Sequence, residues 1–309
     1  MKRLLLTGAT GFIGRYCLPL LLAQDYEVHC VSSGRGSRND SDGIRWHTAD
    51  LLYAQSIPNL LARVRPTHLL HLAWTTAPGQ YWTSLENVRW VQSSLELLQQ
   101  FAAHGGQRAV LAGTCAEYDW RNGYCSESGT PLLPKTLYGA SKHALQILTD
   151  SFAKQAGISS AWGRIFFLYG QHEHPERLVS YVIRSILQRE PVLCSHGEQV
   201  RDFLYVKDVA AAFVALLESD VRGAVNIASG EAVSLKDLIQ KIADKLYGRE
   251  LVRLGAVETS SDEPPLLVAA TERLRDEVGW SPVYNLDKGL EETIDWWKEI
   301  LRRESVLAG

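Results

Sequence analysis

An octapeptide near the N-terminus reads Thr7-Gly8-Ala9-Thr10-Gly11-Phe12-Ile13-Gly14 and follows directly on a short apolar run. Gly8 permits a tight turn, Gly11 lets backbone N–H groups approach a diphosphate, and Gly14 allows a helix to pack closely on a strand. The N-terminus of that helix adds partial positive charge. This succession of strand, glycine turn and helix predicts a dinucleotide site. The residues assigned to it are Gly8, Thr10, Gly11, Phe12, Ile13 and Gly14.

The first half of the chain alternates short apolar runs with longer segments of helical periodicity. Such repetition predicts right-handed crossovers and a parallel sheet with helices on both faces. We therefore expect a Rossmann-type, doubly wound α/β fold, with a cofactor domain over 1–168 and a smaller, interleaved C-terminal substrate lobe over 169–309. The predicted strands are 3–6, 27–31, 69–73, 109–112 and 161–168, and the predicted helices between them are 13–23, 87–103 and 138–155.

Composition excludes several classes of protein. The 309 residues carry 32 basic and 35 acidic side chains, a net charge of −3, so no basic face for nucleic acid is expected. No apolar run approaches the ~18 residues of a membrane-spanning helix. The five cysteines lack paired spacing, which is typical of reduced thiols in a cytoplasmic enzyme. No metal is expected, because His172-Glu173-His174 has no third ligand nearby in the sequence.

A second motif, Tyr138-Gly139-Ala140-Ser141-Lys142, lies in a segment of helical periodicity. Its i, i+4 spacing places Tyr138 and Lys142 on one face of a helix. The ammonium of Lys142 is expected to lower the pKa of Tyr138. Such a tyrosine exchanges a proton with a sugar hydroxyl or carbonyl while hydride moves to or from a nicotinamide.

Together, the glycine turn and the Tyr-x-x-x-Lys motif resemble the short-chain dehydrogenase/reductases, specifically the extended, nucleotide-sugar branch called the NAD(P)-dependent epimerase/dehydratase family. The resemblance implies that Thr114, at the end of the fifth strand, is the catalytic Ser/Thr beside Tyr138 and Lys142. It also implies a homodimer through the 87–103 and 138–155 helices. The cofactor contacts that it implies are Asp50, Leu51, Leu72, Ala73, Trp74, Asn87, Tyr138 and Lys142.

The resemblance extends into the C-terminal half and implies a nucleotide-diphosphate sugar as substrate. Arg201 opens the block Arg201-Asp202-Phe203-Leu204-Tyr205, in which the family arginine contacts the nucleotide or its diphosphate. Phe167 replaces a family asparagine that touches the sugar phosphates, and Arg177 is a further candidate contact. Thr114 and Tyr138 complete the expected substrate contacts.

Residues at the end of the second strand indicate which nicotinamide cofactor is expected. Ser32 stands where an NAD site usually carries an acidic residue that binds the adenosine ribose. Ser33 follows it, and Arg35 or Arg38 could pair with a 2′-phosphate. NADP(H) is therefore favoured, with NAD(H) as the alternative.

Residues that differ from those of related enzymes reduce the number of candidate reactions. Family 4,6-dehydratases have Asp-Glu where this chain has Cys115 and Ala116. Family 3,5-epimerases use a cysteine and a histidine where Ala116 and Tyr181 stand. We therefore expect NADP(H)-dependent reduction of a nucleotide-linked 4-keto-(6-deoxy)hexose. The alternative is a nucleotide-sugar 4-epimerase with tightly bound NAD. A catalytically silent redox-sensing binding protein is the third hypothesis, and the intact Tyr138/Lys142 pair argues against it.

Overall fold

The computed structural model describes residues 2–34, 40–41, 43–53, 55–259 and 263–308. In chain order, the strands are β1 (Arg3–Thr7), β2 (Glu27–Ser32), β3 (Ile44–Thr48), β4 (His68–His71), β5 (Arg108–Thr114), β6 (Tyr124–Cys125), β7 (Ser159–Ile165), β8 (Phe167–Tyr169), β9 (Val192–Leu193), β10 (Val200–Tyr205), β11 (Gly223–Ile227), β12 (Ala232–Ser234), β13 (Val252–Arg253) and β14 (Leu266–Ala269). The α-helices are α1 (Gly14–Leu22), α2 (Ser56–Val64), α3 (Glu86–Ala103), α4 (Leu137–Ala156), α5 (Leu178–Leu187), α6 (Val206–Glu218), α7 (Leu235–Lys245) and α8 (Leu286–Ala308).

The central layer is a parallel sheet with the strand order β11-β7-β5-β4-β1-β2-β3. Successive side chains of a strand point to opposite faces. Leu4 and Leu6 of β1 accordingly pack against α1 and α6, whereas Leu5 packs against α2 and α3. Both faces are thus covered by helices, which confirms the predicted doubly wound Rossmann-type fold.

A smaller sheet combines β6 with strands of the second half, in the order β12-β10-β14-β6 and with β8 paired to β10. Helices α5, α7 and α8 pack around the buried Tyr169 and Tyr205 in an apolar cluster of this lobe. None of the helices in the described ranges combines the length and apolarity needed to cross a bilayer.

The prediction of one strand over 161–168 is wrong. The chain leaves the central sheet after Ile165, and β8 begins at Phe167 in the second sheet. Phe166 lies between the two strands and is buried against Tyr118. The chain later returns through β11, which forms the edge of the central sheet beside β7. Because β7, β8 and β11 read alike as apolar runs, only tertiary pairing distinguishes their sheets.

The parallel central strands all end at the same edge of the sheet. β1 ends in the glycine turn, β4 runs into Leu72, and β5 ends at Thr114. In a doubly wound sheet, ligands bind outside this edge. The predicted cofactor and catalytic segments therefore converge from separate parts of the sequence.

Candidate active site

The glycine turn packs against the segment that follows β4. Gly8 has a φ of +71°, and a Cβ there would lie 2.9 Å from the Ala73 nitrogen. A Cβ on Gly14 would lie 2.1 Å from the Gly8 carbonyl oxygen. The backbone thus comes closer to its neighbours than any side chain permits, and α1 begins here without an acidic residue in its first turn. These features fit the diphosphate of a dinucleotide.

A buried polar chain fixes this turn. Thr7 Oγ1 lies 2.7 Å from His71 Nδ1, and His71 Nε2 lies 2.8 Å from Ser94 Oγ. Thr7 Oγ1 also accepts a hydrogen bond from the Ala73 backbone N–H at 3.2 Å. Burial, assisted by the charge of Lys142, lowers the pKa of His71 to about 3, so the imidazole stays neutral. The chain of bonds links β1, β4 and α3 beneath the predicted cofactor.

The predicted adenosine contacts lie at the ends of β2 and β3. Ser32 is half-buried and Ser33 is exposed. Asp50 is exposed and accepts a hydrogen bond from the Leu52 N–H at 3.0 Å, whereas Leu51 is buried. Arg35 and Arg38, on which the preference for NADP(H) partly depends, lie outside the described residues.

Thr114, Tyr138 and Lys142 are brought together by β5 and α4. Thr114 is the last residue of β5, and its Oγ1 accepts a hydrogen bond from the Ala116 N–H at 3.2 Å. Tyr138 and Lys142 lie one turn apart on α4 and are both buried. Lys142 Nζ donates to the Ala112 carbonyl oxygen at 2.9 Å. Helix geometry thus sets the spacing of Tyr138 and Lys142, and the packing of α4 against β5 brings Thr114 to them.

Burial dominates the electrostatics of this centre. It lowers the pKa of Lys142 to about 7, against the opposing effect of the Glu117 carboxylate. Burial also raises the pKa of Tyr138 well above its ordinary value, with a further contribution from Tyr81 that a hydrogen bond with Thr114 opposes. The expectation of a lowered pKa for Tyr138 is therefore wrong for the protein alone, because desolvation is the largest influence on this phenol and raises its pKa. In the protein alone, Tyr138 is a neutral phenol.

Trp74 and Asn87 are tied to the same centre. Lys142 Nζ lies 3.7 Å from the centre of the Trp74 ring, within the range of a cation–π interaction. Trp74 Nε1 donates to Asn87 Oδ1 at 2.8 Å, and Asn87 Nδ2 donates to the Tyr81 carbonyl oxygen at 2.7 Å. Two predicted cofactor residues thus orient the lysine and the loop that covers it.

Three aromatic residues that the sequence analysis missed surround Tyr138. The ring of Tyr81 packs edge-on against that of Tyr138, with 4.9 Å between the ring centroids. The ring of Trp82 packs in the same way, with 5.7 Å between the centroids. Trp120 lies 6.1 Å from Trp82 and donates its indole N–H to the Cys115 carbonyl oxygen at 2.9 Å. These rings come from loops without periodicity, and only the high tryptophan content of the sequence hinted at them.

The predicted substrate residues of the C-terminal half lie around the edge of this centre. The Arg177 guanidinium lies 5.4 Å from the Tyr81 ring. Arg201 is buried, donates to Glu263 at 2.9 Å and lies 5.4 Å from the Phe167 ring. Arg201 is also close enough to Cys115 to influence the pKa of that thiol. Its guanidinium thus stands beside the segment that carries Thr114.

The architecture and the motifs match a known family model. The model of the NAD dependent epimerase/dehydratase family covers residues 4–228, which include the glycine turn, Thr114, Tyr138, Lys142 and Arg201. The chain belongs to this family. The chain is thus an extended short-chain dehydrogenase/reductase of the nucleotide-sugar type.

Individual family members are similar over nearly the whole chain. UDP-glucuronic acid decarboxylase 1 from Danio rerio is 25% identical over 98% of this chain and 74% of its own length. UDP-glucose 4-epimerase from Corynebacterium glutamicum is 25% identical over 91% of both chains. The crystal structure of UDP-glucose 4-epimerase from Thermus thermophilus in complex with NAD is 25% identical, covers 96% of this chain and 99% of its own, and superposes with a TM-score of 0.82.

Proposed function

We propose that this chain is an NAD-dependent nucleotide-sugar 4-epimerase. The observation that carries the proposal is a reaction centre in which the phenol of Tyr138 lies one helical turn from Lys142 and is hydrogen-bonded with Thr114. Oxidation of a C4 hydroxyl and reduction of the resulting ketone need one proton carrier only. Relatives that are 4-epimerases support the same assignment.

Each residue of the centre has a distinct proposed role. Tyr138 acts as the phenolate: its Oη takes the proton of the sugar hydroxyl as the ketone forms, and the resulting phenol returns that proton when the ketone is reduced. Thr114 Oγ1 binds the reacting oxygen and orients it. The Lys142 ammonium and the positive charge of bound NAD⁺ would stabilise this phenolate, which burial disfavours in the protein alone. Bound NAD supplies a reversible hydride acceptor, and the turn Gly8–Gly14 with Leu72, Ala73 and Asn87 would hold it.

The residues after Thr114 argue against elimination of water. Cys115 is buried, and burial raises the pKa of its thiol far above the physiological range. Ala116 has no functional group. Glu117 is 0% exposed and binds Arg164 at 2.8 Å, so its carboxylate faces the core. A 4,6-dehydratase needs an acid and a base at the sugar, and this segment offers neither.

The C-terminal lobe supports a nucleotide-diphosphate sugar as substrate. Arg201 is buried and donates to Val200 and Glu263, and its planar guanidinium would offer its remaining donors to phosphate oxygens. Arg177 offers a second cation beside Tyr81. Some relatives act on UDP-glucuronic acid, and C4 oxidation of a uronate creates a β-keto acid that loses CO₂ readily. C4 oxidation is thus the step that an epimerase and a uronate decarboxylase have in common.

One observation favours a second candidate, an NADP(H)-dependent 4-ketoreductase. Ser32 ends β2 without the carboxylate that would repel a 2′-phosphate. A reductase exchanges its cofactor in every cycle, whereas an epimerase retains it. The two candidates therefore differ in what the purified protein carries.

The experiment that tests the proposal combines cofactor and product analysis. The purified protein is denatured, and the released NAD(H) and NADP(H) are measured. The protein is then incubated with UDP-glucose, UDP-glucuronic acid and UDP-N-acetylglucosamine, and the products are separated by chromatography. Bound NAD with formation of a C4 epimer is expected. Oxidation of NADPH by a 4-keto-6-deoxy sugar nucleotide without epimerisation would replace the epimerase with the ketoreductase.

We also propose a homodimer, formed through α3 and α4. The two helices pack against each other and leave apolar side chains on their outer surface, among them Val88, Ile147 and Leu148, each about half exposed. A second copy would bury this surface, as helices of a four-helix bundle do. Leu148→Glu should convert the dimer to a monomer by light scattering, whereas Val306→Glu, at a still more exposed site on α8, should not. A wild-type monomer would refute the proposal.

A further inference from the structure

Glu117 is a buried carboxylate that touches the backbone of Thr114. Its Oε1 accepts the Thr114 N–H at 2.8 Å, while the Thr114 hydroxyl caps the same short turn, Cys115–Glu117. The two bonds form a capping box, in which a threonine and a glutamate three residues later bind each other's backbone. The orientation of the Thr114 hydroxyl therefore depends on Glu117.

Two residues of β7 hold the carboxylate in place. Arg164 donates Nε to Glu117 Oε2 at 2.8 Å, and both side chains are at most 1% exposed. Trp162 donates its indole N–H to Glu117 Oε1 at 2.9 Å. Gly113 lets the indole approach, since a Cβ there would lie 2.0 Å from Trp162 Nε1. The carboxylate is thus fixed from three sides.

The same indole faces the reaction centre. Lys142 Nζ lies 5.9 Å from the centre of the Trp162 ring, and the N–H of the same indole is bound by the Glu117 carboxylate. A ring whose N–H is bound by a carboxylate carries more negative charge on its face, which attracts a cation. Glu117 therefore acts on Lys142 through space and through Trp162.

Other polar and titratable groups reach the surroundings of Lys142 from β4, β7, α3 and α4. β4 contributes His71, which is neutral, and α4 itself contributes Tyr138, a neutral phenol. β7 contributes Arg164, whose guanidinium is bound by Glu117 and faces Asp150 on the far side of α4. α3 reaches this region with the uncharged Ser94, through His71, and Asn87, through Trp74. Glu117 is the carboxylate that favours the charged form of Lys142.

We infer that Glu117 is a positioning residue for the reaction: it orients Thr114 and supplies the buried negative charge that keeps Lys142 an ammonium. This role rests on the proposed function, in which that ammonium stabilises the phenolate of Tyr138. Glu117 does not touch the sugar. Its effect reaches the reaction through the threonine hydroxyl and the lysine ammonium.

The electrostatic effect of Glu117 can be separated experimentally from its contribution to packing. Replacing a buried ion pair with apolar residues of similar volume is often neutral for stability. Glu117→Leu combined with Arg164→Met removes both charges and preserves the volume. Glu117→Gln removes one charge and keeps an oxygen for the Thr114 N–H. Tyr118→Phe is the matched control, because it removes the hydroxyl that Arg164 binds at 3.1 Å and leaves both charges in place.

The test measures Lys142 directly in the cofactor-free and substrate-free protein. NMR with ¹³C-labelled lysine, assigned with Lys142→Met, gives the pH midpoint of its titration. Glu117→Gln should lower that midpoint by about one pH unit or more, since an opposite charge has been lost. The double variant, which also loses the cation of Arg164, should lower it less, and Tyr118→Phe should leave it unchanged. Turnover by Glu117→Gln should recover at lower pH, where Lys142 regains its proton.

The outcomes separate this inference from the proposed function. A wild-type midpoint in both Glu117 variants overturns the electrostatic role, as does an equal shift in Tyr118→Phe. Shifted midpoints in a protein that epimerises no nucleotide sugar would instead overturn the proposed function and leave the control of Lys142 by Glu117 intact.

Discussion

The reaction centre and the substrate lobe are assembled in different ways. Tyr138 and Lys142 share one face of α4, so their spacing follows from helix geometry, and one packing contact between α4 and β5 adds Thr114. Arg201 instead acquires its surroundings from Phe167 on β8 and from Glu263, 62 residues further along the chain. The centre thus combines one local spacing with the packing of two regular elements, whereas the Arg201 site depends on contacts between several distant segments.

This difference has a consequence for specificity. A centre set by one strand end and one helical turn varies little as the rest of the chain changes. A binding surface made of long-range pairs changes with every loop that contributes to it. Chemistry is therefore expected to depend on few residues of the centre, and substrate choice on many residues of the lobe.

The largest expected effect is at Tyr138. Tyr138→Phe removes the proposed proton carrier and keeps the ring that packs on Tyr81. Turnover should fall by about 10³-fold or more, since general acid–base catalysis contributes 10²–10⁴-fold. Affinity for NAD should change little. Calorimetry and chromatographic product assays measure both quantities.

Tyr81→Phe is the matched control, because it removes a phenol from the neighbouring ring. It should retain most of the wild-type turnover. Similar losses in both variants would mean that the aromatic packing, and not the Tyr138 hydroxyl, carries the chemistry.

A smaller effect is expected in the substrate lobe. Arg201→Gln removes a charged donor that is proposed to bind a phosphate oxygen, a contact of about 1.5–3 kcal/mol. The KM for the nucleotide sugar should rise about 10- to 100-fold, with a much smaller change in kcat. Steady-state kinetics at saturating NAD give both parameters.

Glu263→Gln distinguishes binding from structure. It weakens the ion pair at 2.9 Å but keeps the arginine. If Arg201 serves only as a partner of Glu263, both variants should raise KM equally; a proposed phosphate contact predicts the larger rise for Arg201→Gln.

The sequence predicts what is local. The glycine turn, the Tyr138/Lys142 spacing and most central strands follow from periodicity and turn chemistry. The contact of Glu117 with Thr114 could also have been predicted, because Thr114-x-x-Glu117 is a capping-box pattern. The break at Phe166 and the Arg201–Glu263 pair could not be predicted, since they depend on which strands pair across the fold.

Burial also escaped the sequence analysis. The Tyr-x-x-x-Lys spacing correctly placed an ammonium near a phenol, but the sign of the pKa shift of Tyr138 depends on Tyr81 and the loops above it. A motif specifies which groups meet, whereas desolvation depends on everything that covers them.

A comparison of two glycines tests how closely the backbone packs at the glycine turn. Gly8 and Gly157 have nearly equal φ values, +71° and +70°, but a Cβ meets the Ala73 backbone at Gly8 and nothing within 4 Å at Gly157. Gly157→Ala should cost about 1–2 kcal/mol of unfolding free energy for the left-handed backbone alone. Gly8→Ala should cost about 1–3 kcal/mol more through overpacking, and should abolish NAD binding.

Denaturant unfolding and NAD titration of the two variants give these values. Equal losses of stability, with NAD binding retained in Gly8→Ala, would show that the turn has room for a side chain. The close approach of the glycine turn to Ala73 would then have no bearing on the cofactor.

The smallest effect concerns a buried acid of the lobe, Glu173. Burial raises its pKa from 4.5 to about 8, against a hydrogen bond from Ser180 at 3.0 Å. Between these values the folded state binds more protons than the unfolded state, so this group makes the unfolding free energy fall as pH rises. Glu173→Gln should match the wild type near the lower pH and exceed it by about 1 kcal/mol or more above the upper one.

Lys142 in the reaction centre should show the opposite slope. Its pKa is lowered from 10.5 to about 7, so the unfolded state binds more protons across that range and the unfolding free energy rises with pH. Lys142→Met should remove this rise, and Glu173→Gln should remove the fall, while exposed Glu176→Gln should change neither. If the wild-type pH dependence persists in Glu173→Gln, the carboxyl of Glu173 is ionised in the folded protein. The lobe would then hold a buried charge, as the reaction centre does.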